Sequence, residues 1–214
     1  PLFFPDAGKK VEDLGKEMDL IYEGIKQAII LLVTLDPEVM RITLLSLKVS
    51  GSATLISLFI GISVGTLVAL TQFPGKKFVV SLINTGMGLP PVVVGLFVTI
   101  FLWRSGPLGF FGLLYTPTAI IIAQSVIATP IVMGITLAAM QQLPKKMRLQ
   151  VLALGATPLQ TVWVLIREAR LPLLAAVMAG FGGVISEIGA SIMVGGNIQR
   201  YTRVLTTATV METG

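Results

Sequence analysis

Between Leu171 and Gln199 the chain carries a single ionised side chain, Glu187. A carboxylate in so apolar a run is costly unless a base, a helix N-terminus or water meets it, and a residue kept at that cost is a functional candidate. Glycines crowd the same stretch, at Gly180, Gly182, Gly183 and Gly189, and would let neighbouring helices slide. The chemistry on offer is a latch or a gate at Glu187 and Gly189, and both roles stay open. A second candidate is the run Gly86-Met87-Gly88-Leu89-Pro90-Pro91. Prolines remove backbone donors and bend a helix; the groups freed at Pro90 and Pro91 can line a pathway or merely make a kink. A third is the cluster Ala153, Gly155, Ala156, Thr157 and Pro158, set between Lys145, Lys146 and Arg148 on one side and Arg167 and Arg170 on the other. A charged loop of this kind is a natural docking surface for a soluble partner. The plainer alternative is an ordinary turn in which Thr157 caps a helix starting at Pro158.

Other chemistries are excluded by what the chain lacks. It has no cysteine and no histidine, so disulfides, thiolate catalysis and zinc sites built on those residues are ruled out, and no metal site is expected. A lone intramembrane acid gives a catalytic pair nothing to build on, so an intramembrane enzyme is disfavoured. No Gly-x-x-x-x-Gly-Lys-Ser/Thr phosphate loop occurs, so the chain is not expected to hydrolyse ATP. The formal charge is +5, unevenly spread. Residues 1–38 hold eight acids against four bases, and residues 39–214 hold three acids against twelve bases. No basic run is interleaved with aromatics, so this excess sets membrane topology rather than binding nucleic acid.

The elements that must position these residues are membrane spans. The composition is 54% hydrophobic and 13% charged, where a soluble domain carries about 25% charged residues. No charge lies between Lys48 and Lys76, between Lys77 and Arg104, or between Arg104 and Lys145. Each gap can hold the roughly 20 apolar residues a spanning helix needs. The runs lack the alternation of a β-barrel, so the expected class is all-α: a polytopic helical membrane protein. Four spans are expected, within 47–71, 78–103 (interrupted at Pro90-Pro91), 118–140 (bent by Pro130) and 173–194. Gly61-x-x-x-Gly65 in the first allows close helix approach, within the bundle in preference to a dimer seam. Residues 1–17 read as a polar N-terminal extension or fusion remnant. Residues 18–36 read as an amphipathic helix lying at the lipid interface, and Asp36-Pro37 as a helix cap and first turn. After the fourth span the chain reads as a polar, Thr-rich tail.

Loop charge gives the orientation. The Lys76-Lys77 turn and the 145–170 loop carry seven bases, and the opposite loops carry three, or five with Arg41 and Lys48. The 145–170 loop is therefore expected in the cytoplasm, with Arg104 and the amphipathic helix outside. With an even span count, a fifth span is expected to be missing beyond Gly214.

At these same motifs the chain resembles the permease subunits of small oxyanion ABC importers. Their cytoplasmic loop follows Glu-Ala-Ala, three residues, Gly, nine residues, Ile-x-Leu-Pro; here Gly155 takes the glycine and Leu165 the isoleucine. Leu149, Gln150 and Val151 replace the Glu-Ala-Ala, and Leu171-Pro172 comes four residues late. The segments Gly88–Gly95 and Ser186–Ile198 are similar to the Pro-Pro and Glu-Phe/Ile-Gly-Ala segments of molybdate and tungstate permeases. Ile166–Arg170 and Tyr201–Ala208 are closest to the tungstate branch. Leu2–Ala7 is similar to the C-terminal tail of the matching periplasmic binding protein.

The resemblance implies a type I ABC importer permease fold over residues 37–214, C-terminally incomplete, in the inner (plasma) membrane. It implies a transport subunit, not an enzyme, that translocates tungstate, with molybdate next and sulfate third. Ala153, Gly155, Ala156, Thr157 and Pro158 would form the ATPase-coupling loop, and Pro90, Pro91, Glu187 and Gly189 the pathway or gate. Implied partners are an ABC ATPase, which would bind the ATP, a periplasmic oxyanion-binding protein, a second permease copy in a homodimer, and membrane lipid. No cofactor is expected in this chain. Rival readings are a secondary transporter or channel and a structural membrane subunit.

Overall fold

The computed structural model describes residues 33–212, together with positions 22, 24, 26 and 30. The expected extension, residues 1–17, and most of the expected amphipathic helix lie outside the described residues. The described positions from Tyr22 to Val33 are helical and exposed. The chain divides after Thr43. On the N-terminal side, Leu35 takes a left-handed φ of 51° and helix α1 (Pro37–Leu70) begins. Asp36 caps it as its type and position lead one to expect, Oδ1 accepting from Glu38 N–H at 2.9 Å and Val39 N–H at 3.1 Å.

From Leu44 onward every regular element among the described residues is helical. α2 (Lys76–Met87) and α3 (Pro91–Leu102) follow α1, then a single 3₁₀ turn at Gly109–Phe111 and α4 (Pro117–Gln142). Next come α5 (Lys145–Ala153), α6 (Pro158–Glu168), α7 (Arg170–Ile185), α8 (Gly189–Gly195) and α9 (Leu205–Glu212). Among the described residues, α1 and α4 alone are continuous, membrane-length apolar helices; α2–α3 bend by 102° and α7–α8 by 58°. Counting each bent pair as one span gives the expected four. Two expectations need correction. The fourth span is not one helix, because it breaks at Ser186–Ile188, where a carboxylate and Gly189 start a new helix. The C-terminal segment is not merely a polar tail: Thr202 and Val204 are buried ahead of helix α9, and Thr207 is buried within it.

Packing is of the membrane kind, with small and hydroxylated side chains inside and large apolar ones outside. Along α1 the buried stripe is Ser46, Val49, Ser50, Ala53, Thr54, Ser57, Gly61 and Gly65, stepping by three or four residues down one helix face. Leu55, Phe59 and Leu67 on the same helix are exposed. The hydroxyls bond to carbonyls: Thr54 to Ser50 O at 2.7 Å, and Ser57 to both Ala53 O and Ser125 O. The Gly61/Gly65 pair serves internal packing. A β-carbon on Gly61 would lie 2.6 Å from Val132 Cγ1, and one on Gly65 2.8 Å from Met133 O, both on α4.

Helix α4 runs through Pro130 unbroken and packs against α2, α3, α7 and α8. Gly86 of α2 sits against the Pro130 ring, and Met87 fills the space left by Gly134. At its start, Thr116 Oγ1 accepts from Ala119 N–H, with Pro117 in the first turn.

The loops gather at two ends. At one, Lys76 Nζ donates to Ala69 O and Thr71 O, and Arg148 Nη1 donates to Leu70 O at 2.9 Å. These cations satisfy the last carbonyls of α1, where the helix dipole is negative. The Lys76-Lys77 turn and the start of the 145–170 loop therefore share one end, as the charge count requires. At the other end, Tyr115 N–H donates to Val194 O at 2.8 Å and the Tyr115 ring lies on Gly196.

Candidate functional site

The residues singled out in the sequence fall into two separate places. Ala153, Gly155, Ala156, Thr157 and Pro158 form the tight turn between α5 and α6. Thr157 Oγ1 accepts from Gln160 N–H, and Gln160 Oε1 accepts from Thr157 N–H at 2.8 Å, a complete capping box with Pro158 at the first helical position. Thr157 therefore caps α6, as the plainer of its two readings expects. Gly155 has φ +84°, and a β-carbon there would meet nothing within 4 Å. Its backbone conformation, not crowding within this chain, requires glycine. On either side Leu154 is 87% and Leu159 79% exposed. Neither was evident as a functional residue in the sequence, where leucines in an apolar chain carry no signal. Helix α6 runs to Glu168, and Pro172 lies in the first turn of α7.

The second place is where the two bent pairs meet. Pro90 is extended (φ −59°, ψ 129°) and Pro91 starts α3. A residue preceding proline disfavours helix, and proline itself supplies no N–H, so α2 stops at Met87. Along α3, Val92 lies against Gly189, where a β-carbon would come 2.5 Å from Val92 Cγ2. Gly95 is matched to Ala190, 2.7 Å from its Cα on the same test. Pro91, Glu187 and Gly189 are thereby brought to one neighbourhood.

Glu187 is 9% exposed. Its Oε1 accepts from Ala190 N–H at 2.9 Å, and its own carbonyl accepts from Thr206 Oγ1 at 3.0 Å. Of the partners open to it, a base or a helix N-terminus, the structure supplies the N-terminus of α8.

Gln124 was not apparent as a site residue. Almost wholly buried, its Nε2 donates to Val184 O at 3.0 Å and to Ser191 Oγ at 3.4 Å. It thus ties α4 to both halves of the bent pair and shares the Val184 carbonyl with Glu187 N–H at the break. The available signal was its being the one amide between Thr118 and Met140. Thr206, which holds the Glu187 carbonyl, was hidden in the Thr-rich tail.

Residues 57–211 match the family described as binding-protein-dependent transport system inner membrane component. The chain belongs to that family. This family member is a transport subunit of the inner membrane. It is 43% identical over 176 residues to a probable anion ABC transporter permease of Haloferax volcanii, covering 80% of this chain and 76% of that one. It is 41% identical over 194 residues to a tungstate uptake system permease of Peptoclostridium acidaminophilum, covering 91% and 85%. A molybdenum transport system permease of Escherichia coli is more distant, at 29% over 185 residues, covering 83% and 80%. A chain of the methionine ABC transporter MetNI, solved in inward-facing conformations, superposes with a TM-score of 0.66 at 24% identity, covering 84% of this chain and 87% of that one. The fold is that of a type I ABC importer permease. Membership in a binding-protein-dependent transport family replaces the secondary-transporter, channel and purely structural readings.

Proposed function

We propose that this permease conducts tungstate inward through the membrane in an ATP-driven importer, with molybdate and then sulfate as the alternatives. The observation that carries the substrate is the 41% identity to a tungstate uptake permease, extending over 91% of the chain, against 29% to a molybdenum permease. Two copies form the pathway as a homodimer, a periplasmic oxyanion-binding protein delivers the anion, and a separate cytoplasmic ATPase binds and hydrolyses the ATP. This chain itself holds no cofactor.

The turn Ala153–Pro158 is the element the ATPase grips. Support comes from its rigidity and its surface: a capping box fixes it, Gly155 sets its bend, and Leu154 and Leu159 stand out uncovered. Large apolar side chains left uncovered on a charged loop fit a surface that a partner buries. Pro90, Pro91, Glu187 and Gly189 are the moving part of the pathway. Two helix breaks packed on each other through glycines can shift together, and the Glu187–Ala190 bond holds one arrangement.

Uptake of radiolabelled tungstate tests the substrate directly, in cells lacking their own tungstate and molybdate importers and carrying this system. Accumulation that excess unlabelled tungstate suppresses at much lower concentration than molybdate or sulfate is expected. Preferential suppression by molybdate or sulfate would transfer the assignment to that anion.

A further inference from the structure

We infer that one strip of α2 walls the anion path: Ser81, Asn84 and Thr85 donate hydrogen bonds to the passing tetrahedral oxyanion, and Lys77 meets it at the mouth; this rests on the oxyanion reading above. Helix α2 has three distinct faces. Ile83 is buried, Gly86 rests on the Pro130 ring and Met87 lies against Gly134, which marks the face packed on α4. Phe78 and Leu82, four residues apart, are 73% and 61% exposed and form an apolar face suited to lipid. Lys77, Ser81, Asn84 and Thr85 follow at steps of four, three and one, a single helical strip, and all four are exposed.

Neighbouring helices fix the depth of this strip. Lys76 Nζ donates to the last carbonyls of α1, at the end that carries the basic loops, while Gly86 touches Pro130, midway along α4. From Lys77 to Thr85 the strip covers about 12 Å at 1.5 Å per residue, in a hydrocarbon core about 30 Å thick. At one end Lys77, Val80, Gln72 and Gln141 line a cavity of about 630 Å³. At the other the strip runs out at Gly88, beside the Pro90-Pro91 break.

Polar side chains at such depth face protein or a watery cavity, because lipid offers them no partner. Thr54, Ser57, Thr99 and Thr129 meet this need by donating to the carbonyl four residues back, at 2.6–2.8 Å. Among the described residues, no hydrogen bond engages the side chains of Lys77, Ser81, Asn84 or Thr85. Their donors are free for a ligand: two from the amide, one from each hydroxyl and three from the ammonium. An oxyanion presents acceptors to match, and neutral donors bind it without trapping it, as conduction requires. No carboxylate on α2 repels the ion, since those in residues 44–211 are Glu168 and Glu187.

The test uses the complete complex in proteoliposomes, with ATPase and tungstate-loaded binding protein. In this cysteine-free chain, S81C, N84C, T85C and the apolar-face control L82C are treated from both sides with a small charged methanethiosulfonate, which attacks the thiolate. The three strip positions should react at least tenfold faster than position 82. N84L should lose at least tenfold in tungstate uptake while stimulated ATP hydrolysis persists, and N84Q, which keeps the amide, should recover part of it. Should N84L fail to assemble, S81A combined with T85V carries the same uptake prediction. Strip positions as slow as position 82 would overturn the inference, and an N84C cross-link between copies would then give this face to the dimer seam. Fast reaction with wild-type uptake by N84L would also overturn it, leaving a wet wall without anion contact. Wild-type vesicles that accumulate no tungstate would sink the functional reading, and this inference with it; wild-type uptake with either contrary result sinks this inference alone.

Discussion

Glu187 meets the start of α8 through one charge-assisted hydrogen bond, Oε1 to Ala190 N–H at 2.9 Å. Its partner is a backbone donor and a helix dipole, not a buried cation, so the several kcal/mol of a broken buried ion pair do not apply. Glu187→Gln keeps an acceptor of the same shape and loses the charge, at a cost of about 1 kcal/mol. Glu187→Ala also strands the N–H and should cost about 2–3 kcal/mol. Thermal unfolding in detergent, read beside ATP hydrolysed per anion transported, separates the two. If Glu187→Gln matches Glu187→Ala in both, charge rather than the hydrogen bond holds the break. Gly155 shows how far residue type alone could be read. Its small size was read for contact with a partner; within this chain it is the φ of +84° that calls for glycine, and the space around it is open. Thr157 was legible as a cap; its reciprocal partner Gln160 completes the Thr-x-x-Gln pattern three residues on, and only the structure joins the two.

Helix contacts in this bundle are set by where a β-carbon can be tolerated, and the glycines of α1 provide a controlled comparison. At Gly61 an added methyl would sit 2.6 Å from Val132 Cγ1, while at Gly51 it would meet nothing within 4 Å. Gly61→Ala is therefore predicted to destabilise by about 1–3 kcal/mol through overpacking. Gly51→Ala should be neutral, or stabilise by up to about 1 kcal/mol through helix propensity. Melting temperatures of the two variants in one detergent decide the matter, and equal shifts would remove the α1–α4 seam from the account. The spans themselves could be read from charge-free runs, and the α2–α3 break from Pro90-Pro91, because charge and proline act locally. The α7–α8 break could not. Neither Glu187 nor Gly189 forbids a helix; the break needs the cap at Ala190, the Gln124 bond to Val184 O and the close approach of Val92, all tertiary. Helix α9 was obscured for a related reason: a Thr-rich stretch reads as polar until Thr202, Thr206 and Thr207 find carbonyls to bond.

At the scale of the molecule, loop charge and loop clustering agree that the 69–76 and 143–148 segments share one end and the 103–115 and 194–204 segments the other. Lys146→Cys and Arg104→Cys in this cysteine-free chain read the sidedness directly. An impermeant thiol reagent applied to intact cells should label position 104 and spare position 146; the reverse pattern would invert the permease and detach the coupling turn from the cytoplasm. The central claim is that this subunit links a partner's ATP hydrolysis at the Ala153–Pro158 turn to passage of tungstate between the two helix breaks. The most direct measurement is ATP-dependent accumulation of radiolabelled tungstate in proteoliposomes holding the permease, its ATPase and its binding protein, wild type beside Gly155→Trp. A tryptophan forces a side chain into a left-handed backbone position, which costs about 1–2 kcal/mol, and sets a large ring on the gripped surface. Wild type should accumulate tungstate only with ATP, while Gly155→Trp inserts normally and accumulates at least tenfold less, with stimulated ATP hydrolysis lost. Accumulation that needs no ATPase, or wild-type transport and hydrolysis by Gly155→Trp, would contradict the account.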